Sequence, residues 1–128
     1  MQTKYLGIDY GTKKVGIAVS DDSGALAFPD DVVPNDKAFY ESLQSIIARN
    51  HVTKVVIGQS LGKDGSENAV MEGVHDLRKR LETDGLEVFL EPEFFTTAQA
   101  KRHTADKMAD ASAAALILQS FLDKLSRE

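Results

Sequence analysis

The sequence predicts an α/β fold: a mixed five-stranded sheet, three antiparallel strands followed by two parallel ones, with helices on both faces. Three observations lead there. Two β-branched apolar runs, "TKYLGIDY" and "KKVGIAVSD", are joined by a short Gly-containing turn, the signature of a hairpin. "TKVVIGQS" is a short continuous apolar run, as expected of a strand buried on both faces by helices. Between and after these runs, apolar residues recur at helical spacing.

The elements follow in order. "ALAFPDDVVP" is a third, weaker strand, and its internal Pro29 confines it to an edge or a bulge. Asn35 offers an N-cap, and Phe39, Leu43, Ile46 and Ile47 mark the first helix through "DKAFYESLQSIIARN". "TKVVIGQS" is the fourth strand, ended by the Gly-rich loop "GQSLGKDGSEN" that begins at Gly58. Ser66 with Asn68 can start a helix carrying Val70, Val74, Leu77 and Leu81. "LEVFLEPE" is the fifth strand, stopped by Pro92. Thr96 or Thr97 can cap a short helix, and "ADASAAALILQSFLDKL" makes the last one. The β-α-β crossovers place the later strands parallel to the first.

The 128 residues fit a single domain over 1–128, long enough to bury one core. There is no cysteine, which excludes disulfides and Cys-ligated zinc. The first residues lack a signal-peptide pattern, and no apolar run approaches the roughly 18 residues of a membrane span, so a cytoplasmic protein without membrane contact is expected. A net charge of -5 argues against a nucleic-acid coat protein, which needs excess Lys and Arg. It leaves room for a nuclease that gathers acids around metal ions and confines its basic residues to a stripe. Lys13-Lys14, Arg78-Lys79-Arg80 and Lys101-Arg102-His103 are the candidate stripes, each also readable as a solvated face.

Asp9 stands inside an apolar strand, where an ionised carboxylate is costly unless something cationic or hydrogen-bonding meets it. On the last helix Asp110, Ala114, Ile117 and Phe121 fall at spacings that share one face, so Asp110 heads an apolar stripe directed at the sheet. Alanines 111, 113, 114 and 115 let that helix approach closely, and Asp106 could share the face if the helix starts early. Ligands collect at the carboxyl ends of parallel strands, and Asp9, the Gly58 loop, Glu91 and Glu93 all belong to that rim. Asp9, Glu93 and Asp110 would repel one another, and hard divalent cations are the usual remedy. Two such ions about 3.5–4 Å apart stabilise the attacking and leaving oxygens of a phosphodiester displacement. The three histidines, His51, His75 and His103, show no metal-ligand spacing.

"YLGIDYGTKKVGIAVSD", "VVIGQSLGKDGSE", "TTAQA" and "DASAAALILQSFLD" resemble, in order and spacing, the YqgF/RuvX family over nearly the whole chain. The resemblance implies an RNase H-like fold related to the resolvase RuvC. It also implies a cytoplasmic nuclease that matures the 5′ end of pre-16S rRNA, with Holliday-junction cleavage as the alternative. Carried over, Asp9 matches the family's first-strand catalytic acid, Asp110 the acid opening its last helix, and Glu93 the middle acid. These three are the expected catalytic residues and ligands of Mg²⁺ or Mn²⁺. Gly11, Thr12, Lys13 and Lys14 resemble the family's Gly-Thr-Lys/Arg segment and are expected to meet substrate phosphate. Gly62, Lys63 and Gly65 offer a second phosphate-facing loop.

Two departures stand out. The family's Asp-Glu-Arg becomes Pro92-Glu93-Phe94 here, which removes a bidentate phosphate partner and leaves Glu91 as an alternative middle acid. The segment between "TTAQA" and Asp110 is also shorter than the family's. The expected partners are pre-rRNA or branched DNA and ribosomal precursor particles, with the chain a monomer or weak dimer. Two rivals remain. "GIDYGTKKVGIAVSD" also resembles the phosphate hairpin of sugar-kinase and actin-like ATPases, which need two such domains to enclose a nucleotide. The other is an RNA- or ribosome-binding module that kept the fold and lost turnover.

Overall fold

The computed structural model describes residues 3–61, 64–67, 69–94 and 107–127. The antiparallel start is β1 (Tyr5–Asp9), β2 (Lys14–Ser20) and β3 (Ala27–Pro34). Helix α1 (Phe39–Asn50), strand β4 (Lys54–Leu61), helix α2 (Met71–Thr83), strand β5 (Glu87–Phe94) and helix α3 (Lys107–Ser126) follow. The sheet order is β3-β2-β1-β4-β5, with β4 parallel to β1 and β5 parallel to β4. This is the mixed five-stranded sheet that the sequence predicts.

Strand alternation divides the molecule into two layers. Leu6, Ile8, Val15, Ile17, Val55 and Ile57 face α1 and α2, where Leu43, Ile46, Val74 and Leu81 complete the larger core. Each such side chain removed from water contributes roughly 1.5–3 kcal/mol. The residues between them face α3: Ala18 and Val56 pack on Ala114, Ile117, Leu118 and Leu122. The α3 layer closes at one end through aromatic contacts, with Phe121 5.0 Å from Phe89 and 6.1 Å from Tyr5 between ring centroids.

Glycines on the α3 face set how closely that helix approaches. A Cβ on Gly7 would stand 2.7 Å from Cβ of Leu118, one on Gly58 2.7 Å from Cδ1 of Ile117, and one on Gly16 2.0 Å from the Asp110 carbonyl oxygen. Ala111 and Ala114 are fully buried on the α3 side of this close approach, and the glycines make room for it on the strand side.

Several expectations are corrected. Pro92 does not stop β5, which runs on to Phe94 with Pro92 opposite Gln59 and Glu93 opposite Ser60. Because β5 is an edge strand, a missing N–H on its outer side costs no ladder bond. Likewise Gly58 does not open a loop; β4 passes through it to Leu61. Asn35 is not the N-cap of α1, which begins at Phe39. Its Nδ2 donates instead to the Gly11 carbonyl at 2.8 Å, while the Asp36 carboxylate accepts from the Ala38 N–H at 2.9 Å. Ser66 does not start α2, which begins at Met71; its N–H and hydroxyl are held by Asp64 within the preceding loop.

Pro29 sits on the outer strand as predicted. The β2–β3 register steps from Ile17–Asp31 to Ala18–Pro29, leaving Asp30 as the extra residue of a bulge. The short helix expected at Thr96 or Thr97, together with Asn68, Lys101, Arg102, His103 and Asp106, lies outside the described residues.

Candidate active site

The carboxyl end of β1 carries Asp9, which faces α3 because Leu6 and Ile8 face the other layer. In the β1–β2 ladder Asp9 stands opposite Gly16. The Asp110 backbone lies on Gly16, so the first turn of α3 is seated beside Asp9. Glu93 arrives from β5 on the same face: its Oε2 would lie 3.2 Å from a Cβ on Gly58. Asp9, Glu93 and Asp110 thereby line one cleft of about 330 Å³, together with Tyr10, Gly11, Thr12, Lys13, Lys14, Gly58, Ser60, Val70 and Val74.

Burial differs among the acids. Asp9 and Glu93 are half-buried, whereas Asp110 is only 9% exposed. The Asp110 Oδ2 is met by Nζ of Lys14 at 2.9 Å. Lys14 opens β2 on the α3 face, two residues before Gly16, so alternation carries its side chain to the same wall as Asp110.

The turn after Asp9 is tightly held. Asn35 donates to the Gly11 carbonyl through Nδ2 and to the Lys13 carbonyl through its own N–H, the latter at 2.9 Å. A Cβ on Gly11 would stand 2.5 Å from the Lys14 carbonyl oxygen, which makes glycine necessary there. Gly11, Thr12, Lys13 and Lys14 all line the cleft. Gly62 and Lys63 lie outside the described residues. Gly65, with φ of 83°, stands in the exposed loop before α2 and is not among the described residues lining the cleft.

Glu91 has a different position from Glu93 despite sharing its strand face. It is 4% exposed and pinned to α3, accepting from the Ser120 hydroxyl at 2.9 Å and from Lys124 Nζ at 2.6 Å. Its chemistry is that of an anchor between β5 and the last turns of α3. His75 pairs with Glu67 at 2.9 Å, and His51 is the exposed left-handed cap of α1, so neither adds to the cleft.

Among the described residues no group of three His, Cys, Asp or Glu side chains stands close enough to hold a metal ion by itself. The three acids share a cleft rather than an assembled cage. That donor set still fits Mg²⁺ or Mn²⁺, because such hard ions bind through one or two carboxylates and complete their shell with waters and substrate oxygens. Asp9 with Glu93 or Asp110 could supply those carboxylates.

Sequence reasoning missed three contributors: Ser60 beside Glu93 in the ladder, Asn35 behind the turn, and the glycine seat. Gly58 inside an otherwise apolar strand was the available signal for the last.

Comparisons with known proteins agree with this architecture. A relative from Sulfurihydrogenibium sp., named "Putative pre-16S rRNA nuclease", is 32% identical over 97% of this chain and 92% of its own. Relatives of the same name from Anaplasma marginale and Lawsonia intracellularis are each 36% identical, covering 94% and 98% of this chain and 84% and 96% of theirs. Among solved structures, Thermus thermophilus RuvC in complex with a Holliday junction substrate superposes with a TM-score of 0.59 at 14% identity, over 96% of both chains. The Fowlpox virus resolvase in complex with Holliday junction DNA gives 0.56 at 13% identity, over 96% of this chain and 99% of its own. At such identities these structures show the shared RNase H-like, resolvase-type fold. With residues 3–124 matching the family described as RuvX, Holliday junction resolvase, and with these relatives spanning nearly its full length, the chain belongs to the RuvX family.

Proposed function

We propose that this protein is a divalent-metal-dependent nuclease that hydrolyses phosphodiester bonds and processes the 5′ end of pre-16S rRNA during ribosome biogenesis. The observation that carries this reading is that Asp9, Glu93 and Asp110 line one cleft together with the Gly11–Lys14 turn. The names of the curated relatives support RNA as the substrate. Work on a ribosomal precursor is cytoplasmic work, and the described residues include no helix long and apolar enough to cross a membrane.

A bound divalent ion would stabilise charge on the attacking and leaving oxygens. The chain's own residues do the rest. Asp9 and Glu93 hold hard oxygen donors at the carboxyl edge of the sheet, and Asp110 adds a third from the helix. Backbone N–H groups of the Gly11–Lys14 turn, with the Lys13 and Lys14 ammonium groups, face the phosphate and fix its register without reading sequence. The Asn35 hydrogen bonds keep that turn from shifting under the substrate.

The family description favours a second reading, a resolvase of branched DNA. Symmetric cuts in a junction need two active sites, so that reading requires a dimer. Mn²⁺-dependent cleavage of RNA and four-way-junction substrates by wild type and Asp9→Asn tests both. The expected result is cleavage of precursor RNA by wild type and a loss of about 100-fold or more in Asp9→Asn. Preferential junction cleavage by a dimer would move the assignment to DNA. Retained RNA binding with no cleavage of either substrate would leave a binding module.

A further inference from the structure

We infer that Lys14 is an internal counter-cation that competes with a divalent metal ion for Asp110, and that metal loading releases its ammonium toward the phosphate side of the cleft. This rests on the metal-dependent reading above and adds to it an order of events: Lys14 serves the acids before metal arrives and the substrate afterwards.

Asp110 is the fixed member of the pair. Its backbone is seated on Gly16 with no space for a Cβ, and its Oδ2 is shut off from solvent. A carboxylate in such surroundings, facing a cleft that holds two more acids, needs a positive partner. Lys14 Nζ supplies it at 2.9 Å. Lys14 is the movable member: its side chain is 54% exposed, against 13% for that of Asp110. It belongs to neither apolar core, so its head can leave Asp110 without disturbing the packing on either side of the sheet. Lysine is suited to the task because its ammonium is a compact charge on a flexible stem. Lys14 lines the same cleft as Thr12 and Lys13, so an ammonium released from Asp110 remains beside the turn assigned to phosphate.

A half-exposed ion pair is a weak competitor, which sets the expected scale at roughly two- to five-fold in metal affinity. Mn²⁺ binding is measured by calorimetry and electron paramagnetic resonance on wild type, Lys14→Met and Lys14→Arg, each checked for an unchanged urea midpoint. Lys14→Met is expected to bind Mn²⁺ two- to five-fold more tightly and Lys14→Arg to remain near wild type. A second measurement needs no variant. Acetylation of Lys14 in the wild-type protein, followed by mass spectrometry, is expected to accelerate when Mg²⁺ is added, because an amine no longer held against Asp110 is open to the reagent. Equal Mn²⁺ affinities, weaker binding by Lys14→Met, or Lys14 labelling indifferent to Mg²⁺ would overturn the inference while leaving the metal site in place. No Mn²⁺ binding by any of the folded proteins would overturn the inference and the metal-dependent reading together.

Discussion

The carbonyl oxygen of Asp110 lies over Gly16, 2.0 Å from where a β-carbon would stand. This contact seats the first turn of α3 on the sheet, and Gly16 is also the ladder partner of Asp9. Gly16→Ala must therefore displace either the helix or the strand. Overpacking of this kind costs about 1–3 kcal/mol, and the displacement falls on both acids at once. Urea unfolding is expected to show a loss in that range, and cleavage per folded molecule is expected to fall as well. Full activity in a destabilised Gly16→Ala would separate the glycine seat from the site.

Glu91 and Glu93 sit on one face of one strand, yet they are expected to respond oppositely to the same change. Glu91 is buried and held by Ser120 and Lys124. Glu91→Gln weakens a charge-assisted contact whose lysine is half-exposed, so a cost of about 1–2 kcal/mol in stability is expected, with cleavage per folded molecule retained. Glu93→Gln is expected to abolish Mn²⁺-dependent cleavage with the smaller change in urea midpoint. The reverse pattern would make Glu91 the middle acid.

Much of the fold was legible because its signals are local. The Gly-containing turn, the apolar, β-branched runs around "YLGID" and "KVGIAVS", and the helical spacing from Phe39 to Ile47 each sit within a dozen residues of sequence. Asp110 was legible for the same reason, since its stripe with Ala114 and Ile117 is a property of one helix. What escaped depends on partners distant in sequence. Pro92 reads as a terminator until β5 is known to be an edge strand. Asn35 reads as a cap until the Gly11 carbonyl is placed beside it. Glu91 and Glu93 are separated only by the positions of Ser120 and Lys124. Gly7 and Gly16 read as ordinary strand positions, and Gly58 as the start of a loop, until α3 is placed against their shared face.

Tyr40 is expected to give the protein an alkaline limit. Its hydroxyl donates to Asp84 Oδ2 at 2.5 Å, and the Arg80 guanidinium carbon lies 3.7 Å from its ring centroid. Burial, then the hydrogen bond and the charge of Asp84, push the phenol from its ordinary 10.0 up to about 12, against the opposing pull of Arg80. The fold thus favours the neutral phenol. That contribution is whole below the unfolded value and is lost as pH rises through the folded one. Tyr40→Phe is expected to cost about 1 kcal/mol at neutral pH, and its difference from wild type should shrink in urea titrations run between pH 10.0 and about 12. A difference independent of pH across that window would refute the assignment.

Asp21 sets the corresponding acid limb. Its Oδ1 accepts from the backbone N–H groups of Ala25 and Leu26 at 2.8 and 3.1 Å, and its Oδ2 from the Ser23 hydroxyl at 2.8 Å. The Leu26 bond, then those of Ala25 and Ser23, hold this carboxyl below its ordinary 3.8. The charged form is therefore favoured by the folded β2–β3 turn, in which Gly24 takes φ of 71°. The stabilisation is present above the unfolded value and disappears as pH falls through the lowered one. Glu67, lowered by His75 and then Gln59, contributes in the same direction from the loop before α2. Urea midpoints of wild type should decline as pH drops below about 4, and Asp21→Asn, which has no charge to lose there, should decline less steeply. Parallel acid limbs in the two proteins would show that the turn does not discriminate between the charged and neutral carboxyl.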